Sequence, residues 1–290
     1  MSEPPARRRA RTTNHRAADL FALYADTIEF LGRSAWPIVD LVIRLWMAKQ
    51  AILPGLLLAN DWYTALLLAA NEYPVPWLSP GIEAFLGITL QLAGGGSLLL
   101  GLGTRLGALA IVLLNVATQV YYTAVDLDLF RVALAAGYVR GPGSLSLDHL
   151  LIQGLARSPV PFTAAIVGFL NETRAPLAAI YRLALRVWLS LALFLGTSAA
   201  LSTLGALEAS LTHWMPWRSA MALFAGAAPF LALPLGLGLA TRLTAALALC
   251  ASGYSEMMAT DDFSVFWTLG MALLLVSGPG ALSLDGAILD

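Results

Sequence analysis

The residues best suited to chemistry are polar side chains that interrupt long apolar stretches. Asp40 and Arg44 are four residues apart, so on a helix they face each other and can neutralise each other's charge. Lys49 lies near the middle of the same stretch and has no partner at helical spacing. Because a charge at bilayer depth is costly unless it is paired or hydrated, the three residues are candidates for a ligand site. The alternative is that Asp40 and Arg44 only anchor the helix near the inner membrane surface and that Lys49 extends its amine toward the headgroups.

Three amide side chains extend this candidate site to neighbouring apolar stretches. Gln91 lies in the middle of the second stretch, and Asn115 and Gln119 are four residues apart in the third. They lie at a depth similar to that of Lys49, so the four residues would line one pocket with hydrogen-bonding groups in an apolar slot. We expect Lys49 to point into this pocket, within reach of Gln91 or Asn115. The alternative is that the amides only bond helix to helix.

The composition indicates that membrane-spanning helices position these residues. Of the 290 residues, 58% are hydrophobic and only 12% are charged, and the net charge is −1. Soluble domains are less apolar and about twice as charged, so the composition excludes an ordinary soluble enzyme. The charge argues against a nucleic-acid partner. The lone Cys250 cannot form an intrachain disulfide, and no Cys or His spacing suggests a metal site.

Eight apolar segments approach the roughly 17–25 residues that a spanning helix needs. They are Trp36–Leu58, Leu78–Leu102, Arg105–Thr123, Leu127–Val139, Leu177–Ser202, Arg218–Leu239, Arg242–Ala259 and Phe263–Ser277. The fourth and the eighth are short for a full crossing. The acidic, amphipathic stretch Ala17–Arg33 precedes the first and is expected to be a helix on the membrane surface. The predicted fold is an all-α polytopic membrane protein with about eight spans.

Arginines concentrate in the loops at one end of the predicted bundle. Five stand in the N-terminal arm, and Arg105, Arg140 and Arg242 lie in loops on the same side. Asp61 lies in a loop of the other side, which has no Lys or Arg. Because loops rich in Lys and Arg stay in the cytoplasm, we expect a multi-pass protein of the cell membrane, embedded in the lipid bilayer, with both termini cytoplasmic.

The chain repeats itself at one constant offset. Gly101–Leu106 matches Gly238–Leu243 at five of six positions, and Gly141–Asp148 matches Gly278–Asp285 at seven of eight. Two matching patches at the same offset indicate an internal repeat. Each repeat has four helices, an even number, so both repeats enter the membrane from the same side in parallel orientation. The predicted division is 1–35 basic arm and interfacial helix, 36–148 first repeat, 149–175 cytoplasmic linker and 176–290 second repeat.

The two matching patches place an arginine and an aspartate at the same separation in each repeat. Arg105 precedes Asp148 by as many residues as Arg242 precedes Asp285. We expect each pair to form a salt bridge that locks the ends of its bundle, because Arg can bind a carboxylate through two parallel bonds. The alternative is a hydrogen bond shared with the serine two residues before the aspartate.

Three motifs together resemble the DoxX family of four-helix membrane units. They are the Arg-x-aromatic start (Arg44-Leu-Trp46), the Gly-x-x-Thr-Arg turn after the second helix and the Gly-Pro-Gly-x-x-Ser-Leu-Asp end after the fourth. The resemblance covers nearly all of Arg44–Asp148 and again Arg186–Asp285. It implies two tandem DoxX-like units, and it implies a membrane subunit in sulfur or quinone redox chemistry with a redox partner protein.

Two classes of function are therefore carried forward. The first is a subunit of a membrane redox system that binds a quinone-like apolar molecule between helices, with Lys49 and the three amides as hydrogen-bonding groups. The second is a small-molecule transporter or a membrane scaffold for a partner protein, since tandem parallel repeats are common in transporters. No long broken helix or substrate-sized charged cavity is evident from the sequence, which argues against the second class. No catalytic residue is assigned.

Overall fold

The computed structural model describes residues 5–72, 74–121, 126–141, 143–155, 163–211, 230–256, 262–278 and 280–285. Within these ranges the chain forms helices and no strand, which confirms the all-α prediction. The helices are α1 Pro5–Asn60, α2 Trp62–Asn71, α3 Pro80–Leu100, α4 Thr104–Tyr121, α5 Asp126–Ala136, α6 Leu147–Leu155, α7 Thr163–Leu211, α8 at 230–237, α9 Thr241–Glu256 and α10 Asp262–Ser277. A 3₁₀ turn, Gly137–Arg140, follows α5.

Four helical segments of the described chain are long and apolar enough to cross a membrane. They are Ser34–Asn60 within α1, Pro80–Leu100, Thr104–Tyr121 and Val167–Leu195 within α7. These segments correspond to the predicted first, second, third and fifth spans. The predicted fourth, seventh and eighth spans fall on α5, α9 and α10, which have 11, 16 and 16 residues. Most of the predicted sixth span, Arg218–Leu239, lies outside the described residues.

Two helices run through boundaries that the sequence predicted. α1 has 56 residues, so the predicted surface helix Ala17–Arg33 and the first span form one helix. α7 has 49 residues and joins the later part of the predicted linker 149–175 to the fifth span. Each helix continues through a proline near the junction, Pro37 in α1 and Pro176 in α7, although a proline in a helix removes one backbone hydrogen bond. The start of the linker is also helical, as part of α6.

Glycine ends α3 at the turn that the sequence singled out. Gly101 adopts a left-handed conformation with φ of +67°, and its N–H donates to the Leu98 carbonyl at 3.3 Å. The N–H of Leu102 donates to the Ser97 carbonyl at 3.1 Å. These two bonds satisfy the last carbonyls of the helix, as in a Schellman motif. The turn therefore reverses the chain within a few residues and starts α4 beside α3.

The helices pack around one apolar core that includes both halves of the chain. α1 packs on α3 and α10, α3 on α4, α4 on α5, and α9 on α10. Trp46 of α1 meets Phe266 of α10 edge to face, with ring centroids 6.2 Å apart. The largest buried apolar side chains come from several of these helices: Ile43, Met47, Leu98, Leu134, Leu189, Leu235, Phe266, Met271 and Leu274. This packing determines where the polar residues of the two halves lie along the bundle.

Candidate functional site

An aspartate carboxylate closes the turn between α3 and α4. The two carboxylate oxygens of Asp148 accept hydrogen bonds from the backbone N–H groups of Gly103 and Thr104, both at 2.8 Å. The N–H of Asp148 donates to the Gly101 carbonyl, also at 2.8 Å. A carboxylate at a helix start satisfies free N–H groups and lies at the positive end of the helix dipole. Asp148 therefore joins the chain after α5 to the start of α4.

The same hydrogen bonds recur in the second pair of matching patches, between α8 and α9. The carboxylate of Asp285 accepts from the N–H groups of Ala240 at 2.8 Å and Thr241 at 3.0 Å. The N–H of Asp285 donates to the Gly238 carbonyl at 3.0 Å. Ala240 stands where the first turn has a glycine and has a φ of +47°, which is unusual for a residue with a Cβ. The second turn therefore keeps the geometry of the first despite a less suitable residue.

The predicted salt bridges named the wrong partner. Within the described chain, neither Arg105 nor Arg242 is a hydrogen-bond partner of the two carboxylates. Arg105 instead donates to Thr173 Oγ1 at 3.0 Å and to the carbonyls of Arg140 at 3.0 Å and Leu170 at 2.6 Å. The physical reason is that two adjacent N–H groups at a helix start are fixed donors, whereas an arginine side chain must lose conformational freedom to pair.

The neighbouring serine, the alternative partner of the predicted pair, also binds the backbone. Ser146 Oγ donates to the Gly143 carbonyl at 2.9 Å and accepts from the His149 N–H at 3.1 Å. The second of these bonds caps the start of α6. Ser283 Oγ makes the equivalent bond to the Gly280 carbonyl at 2.6 Å. Both serines therefore stabilise the Gly-Pro-Gly segment that carries the aspartate.

The predicted pair Asp40 and Arg44 is buried beneath the first of these turns. Each side chain is only 2% exposed. Arg44 Nη2 donates to the Leu145 carbonyl, and the phenol of Tyr138 donates to the Asp40 carbonyl at 2.7 Å. Asp40 Oδ2 and two nitrogens of Arg44 have no hydrogen-bond partner in the described part of the chain. Arg44 is therefore held by the turn, and a Cβ at Gly143 would collide with the Asp40 carboxylate.

Lys49 does not point into the bundle, and that prediction is wrong. The side chain is exposed, and Nζ lies 4.7 Å from the ring centroid of Trp46. The buried face of α1 at this level is formed by Met47, Ala48 and Ala51. At about 100° per residue, position 49 falls outside this face of the helix. The lysine therefore faces outward at mid-span and contacts an indole ring.

None of the three predicted amides shares a hydrogen bond with Lys49 in the described chain. Asn115 is buried, and its Nδ2 donates to the Ile111 carbonyl of its own helix at 2.7 Å. Gln91 is half-buried against Gly55 of α1, and its Oε1 has no hydrogen-bond partner among the described residues. Gln119 is half-buried on α4. The structure therefore does not assemble the four predicted residues into one pocket.

A different group of polar side chains lies at the level of Lys49 on α1, and sequence reasoning missed several of its members. Arg131 Nη2 of α5 lies 3.4 Å from Gln50 Oε1 of α1. Trp46 Nε1 is buried and has no hydrogen-bond partner in the described chain. Arg131 is an ionisable residue within the predicted span Leu127–Val139, and that position alone marks it as a candidate. We call Trp46, Lys49, Gln50 and Arg131 the mid-span cluster.

A cavity of about 430 Å³, which we call the arginine pocket, lies at the end of the bundle that carries the two aspartate-closed turns. Its lining is Gly32, Trp36, Arg140, Gly141, Gly143, Arg174, Ala178, Arg182, Arg242, Val276 and Ser277. This charged cavity was not evident from the sequence. Its four arginines stand on α7, on α9 and in the turn after α5, so only packing brings them together.

Aromatic rings hold one of these arginines in place. The guanidinium carbon of Arg140 lies 4.6 Å from the ring centroid of Trp36 and 5.5 Å from that of Tyr181. Such cation–π contacts fix a guanidinium without using its N–H donors. Arg140 therefore keeps its donors for other acceptors.

Comparison with known proteins assigns no family to this chain. No family model, curated protein or solved structure matches it. The function is therefore argued from the geometry of these sites.

Proposed function

We propose that the chain is a multi-pass protein of the cell membrane, built from two tandem DoxX-like four-helix units with eight crossings and both termini in the cytoplasm. The aspartate-closed turns support this proposal. Asp148 and Asp285 make the same three backbone hydrogen bonds at the offset that relates the sequence patches. A shared offset in both sequence and contacts favours duplication over coincidence.

Contacts between the two units support a parallel arrangement. Arg105 of the first unit bonds to Thr173 on α7, the first helix of the second unit. Arg242 of the second unit lies beside Gly32 on α1, where an added Cβ would be 3.4 Å from Nη2. If the sequences of α1 and α7 are aligned so that Arg44 matches Arg186, Gly32 matches Arg174, which is adjacent to Thr173. Each arginine thus contacts the first helix of the other unit at an equivalent place. Two units related by a two-fold axis along the membrane normal make such reciprocal contacts.

The function that the geometry supports best is a subunit of a membrane redox system that binds a quinone-like molecule at the mid-span cluster. The observation that carries it is the buried Trp46 Nε1, which has no hydrogen-bond partner in the described chain and lies beside Lys49. Both residues are near the middle of the 27-residue segment Ser34–Asn60. A buried N–H and an ammonium at this depth each need an acceptor, and a quinone carbonyl is one.

The surface around Lys49 also fits the apolar part of such a molecule. Leu45 and Leu53 lie one helical turn before and after Lys49 and are 41% and 51% exposed. They form an apolar strip along α1 on either side of the polar cluster. A few donors within an apolar slot are what a quinone head and its tail require. A redox partner protein would then exchange electrons with the bound quinone.

Quinone retention tests this proposal. The full chain is purified in mild detergent, and its lipid extract is analysed for ubiquinone and menaquinone. We expect a quinone to co-purify, and Trp46→Phe to lower its occupancy about five-fold, as expected for the loss of one hydrogen bond of about 1 kcal/mol. Phenylalanine keeps an aromatic ring beside Lys49 and Phe266, so packing is largely preserved.

The second unit offers a matched control. Trp188 follows Arg186 as Trp46 follows Arg44, two residues later on the first helix of its unit. Trp188→Phe should leave quinone occupancy unchanged. Absence of quinone from the unaltered protein, or equal loss in both variants, would refute the assignment to the mid-span cluster.

A further inference from the structure

The arginine pocket concentrates positive charge. Among the described residues that line it there is no carboxylate, but there are four guanidinium groups, those of Arg140, Arg174, Arg182 and Arg242. The charge of Asp40 interacts with those of Arg140 and Arg174, but Asp40 lies behind Gly143, is 2% exposed and does not line the pocket. Gathering like charges costs free energy through mutual repulsion and loss of hydration. An anion in the pocket would reduce the first cost and compensate for the second.

Two hydrogen-bond donors on the pocket wall are left without an acceptor. Arg242 Nε and Ser277 Oγ are buried, and neither has a hydrogen-bond partner within the described residues. Arg105 occupies the same position as Arg242 in the first sequence patch, and it bonds to three acceptors of the protein. The equivalent arginine of the second patch lies beside Gly32 of α1 and lines the cavity, but its Nε lacks an acceptor, which is expected if an external acceptor completes its bonding.

We propose that the arginine pocket binds a phosphate group, carried either by a lipid headgroup or by a soluble phosphate compound. Guanidinium groups bind phosphate oxygens through paired, charge-assisted hydrogen bonds. Arg242 and Ser277 supply the donors that lack acceptors, and Arg140 is held by aromatic rings with its donors unused by that contact. Arg182 is oriented by its bond to the Ser277 carbonyl at 3.4 Å. A volume of about 430 Å³ accommodates a phosphate with a small substituent.

The position of the pocket fits both sources of phosphate. Trp36 lies near the start of the spanning segment Ser34–Asn60, and Ser277 is the last residue of α10. The pocket is thus at the end of the helices rather than in their middle. Basic pockets between helices at this level bind anionic lipid headgroups. In the orientation proposed above, the pocket also faces the phosphate compounds of the cytoplasm.

Binding is tested on the full chain with two probes. In detergent, thermal unfolding is followed while sodium phosphate is added, with sodium chloride at equal ionic strength as the reference. In nanodiscs, the same measurement compares phosphatidylcholine alone with phosphatidylcholine that contains phosphatidylglycerol. Arg242→Gln is the main variant, because no hydrogen bond from its guanidinium to the described chain is lost. Arg140→Gln is the second variant, and Arg105→Gln removes the equivalent arginine of the first patch, which does not line the pocket, as a matched control.

A free anion predicts stabilisation by phosphate beyond that by chloride. A lipid headgroup predicts stabilisation only in nanodiscs that contain phosphatidylglycerol. In either case Arg242→Gln should raise the half-saturating concentration about ten-fold, the effect of one charge-assisted bond, and Arg105→Gln should not. Circular dichroism and gel filtration identify folded variants. No stabilisation by either probe, or equal effects of Arg242→Gln and Arg105→Gln on the half-saturating concentration, would overturn the proposal.

Discussion

Gly103 and Ala240 occupy the same position in the two turns, and they predict that two reciprocal substitutions have opposite effects on stability. Gly103 has a φ of +60° and Ala240 a φ of +47°, and the N–H of each donates to the aspartate that closes its turn. Both positions must therefore keep a left-handed backbone to keep that bond. We expect Gly103→Ala to destabilise the protein and Ala240→Gly to stabilise it.

The size of each effect follows from the space around the residue. A residue with a Cβ in the left-handed region costs roughly 1–2 kcal/mol. At Gly103 the nearest atom to an added Cβ is Ser97 Oγ at 3.8 Å, so no clash adds to this cost. At Ala240 the reverse change removes the strain, but the freedom of glycine in the unfolded chain offsets about 0.4–1 kcal/mol. The expected net gain is about 0.5–1 kcal/mol.

Unfolding in detergent by heat or by added SDS, followed by tryptophan fluorescence, measures both changes. Gly101→Ala is the control for steric effects, because its Cβ would lie 2.6 Å from Arg44 Nη1 and 2.8 Å from Ser146 Cβ. Its loss of stability should exceed that of Gly103→Ala. If Gly103→Ala has no cost and Ala240→Gly brings no gain, the reasoning from backbone conformation is refuted.

Three further predictions concern charges at the two ends of the bundle. Asp148→Ala and Asp285→Ala should each lower the free energy of unfolding by about 0.5–2 kcal/mol, as for a lost helix cap. Chemical denaturation measures this change, and equal stability of the variants and the unaltered protein would show that the carboxylates are unimportant. Hydrogen bonds from the following turn lower the pKa of Asp61. The stabilising contribution of Asp61 should therefore be complete above about pH 3.9, the usual pKa of an aspartate, and should be lost as the pH falls through the lower pKa of the folded state. Amide exchange in α2 can follow this loss. In a Cys250→Ala background, a cysteine replacing Ser144 should be labelled from the cytoplasm and one replacing Asp61 should not. Cytoplasmic labelling at position 61 would contradict the proposed topology.

Local sequence features predicted the helices well where they are apolar and bounded by glycine. The turn after Gly101 ends α3 and starts α4 within a residue or two of the predicted span limits, because a left-handed glycine is a local requirement. The joins near Trp36 and near Pro176 were missed, because Pro37 and Pro176 lie inside α1 and α7 without ending either helix. A change from polar to apolar composition is not by itself a helix boundary.

The candidate sites were predicted less well than the helices that carry them. The sequence identified Asp40, Arg44 and Lys49 as polar residues in an apolar helix. In the structure Asp40 and Arg44 are buried, and Lys49 contacts the Trp46 ring. Their partners were not found, because Lys49 contacts Trp46 of its own helix instead of the amides on other helices. Spacing along one helix predicts which residues share its face, but does not predict the helix that the face meets.

The sequence by itself determined that this chain is helical, apolar enough for a membrane and marked twice by the same turn and the same Gly-Pro-Gly end. Those properties reside in composition, helical period and glycine position, each of which is local. Only the tertiary structure decided that Asp148 binds backbone N–H groups far from it in the sequence, and that four arginines from separate segments surround one cavity. The reason is geometric: the helical repeat fixes only where each side chain lies around and along its own helix. Which side chains meet therefore depends on how the helices pack against one another.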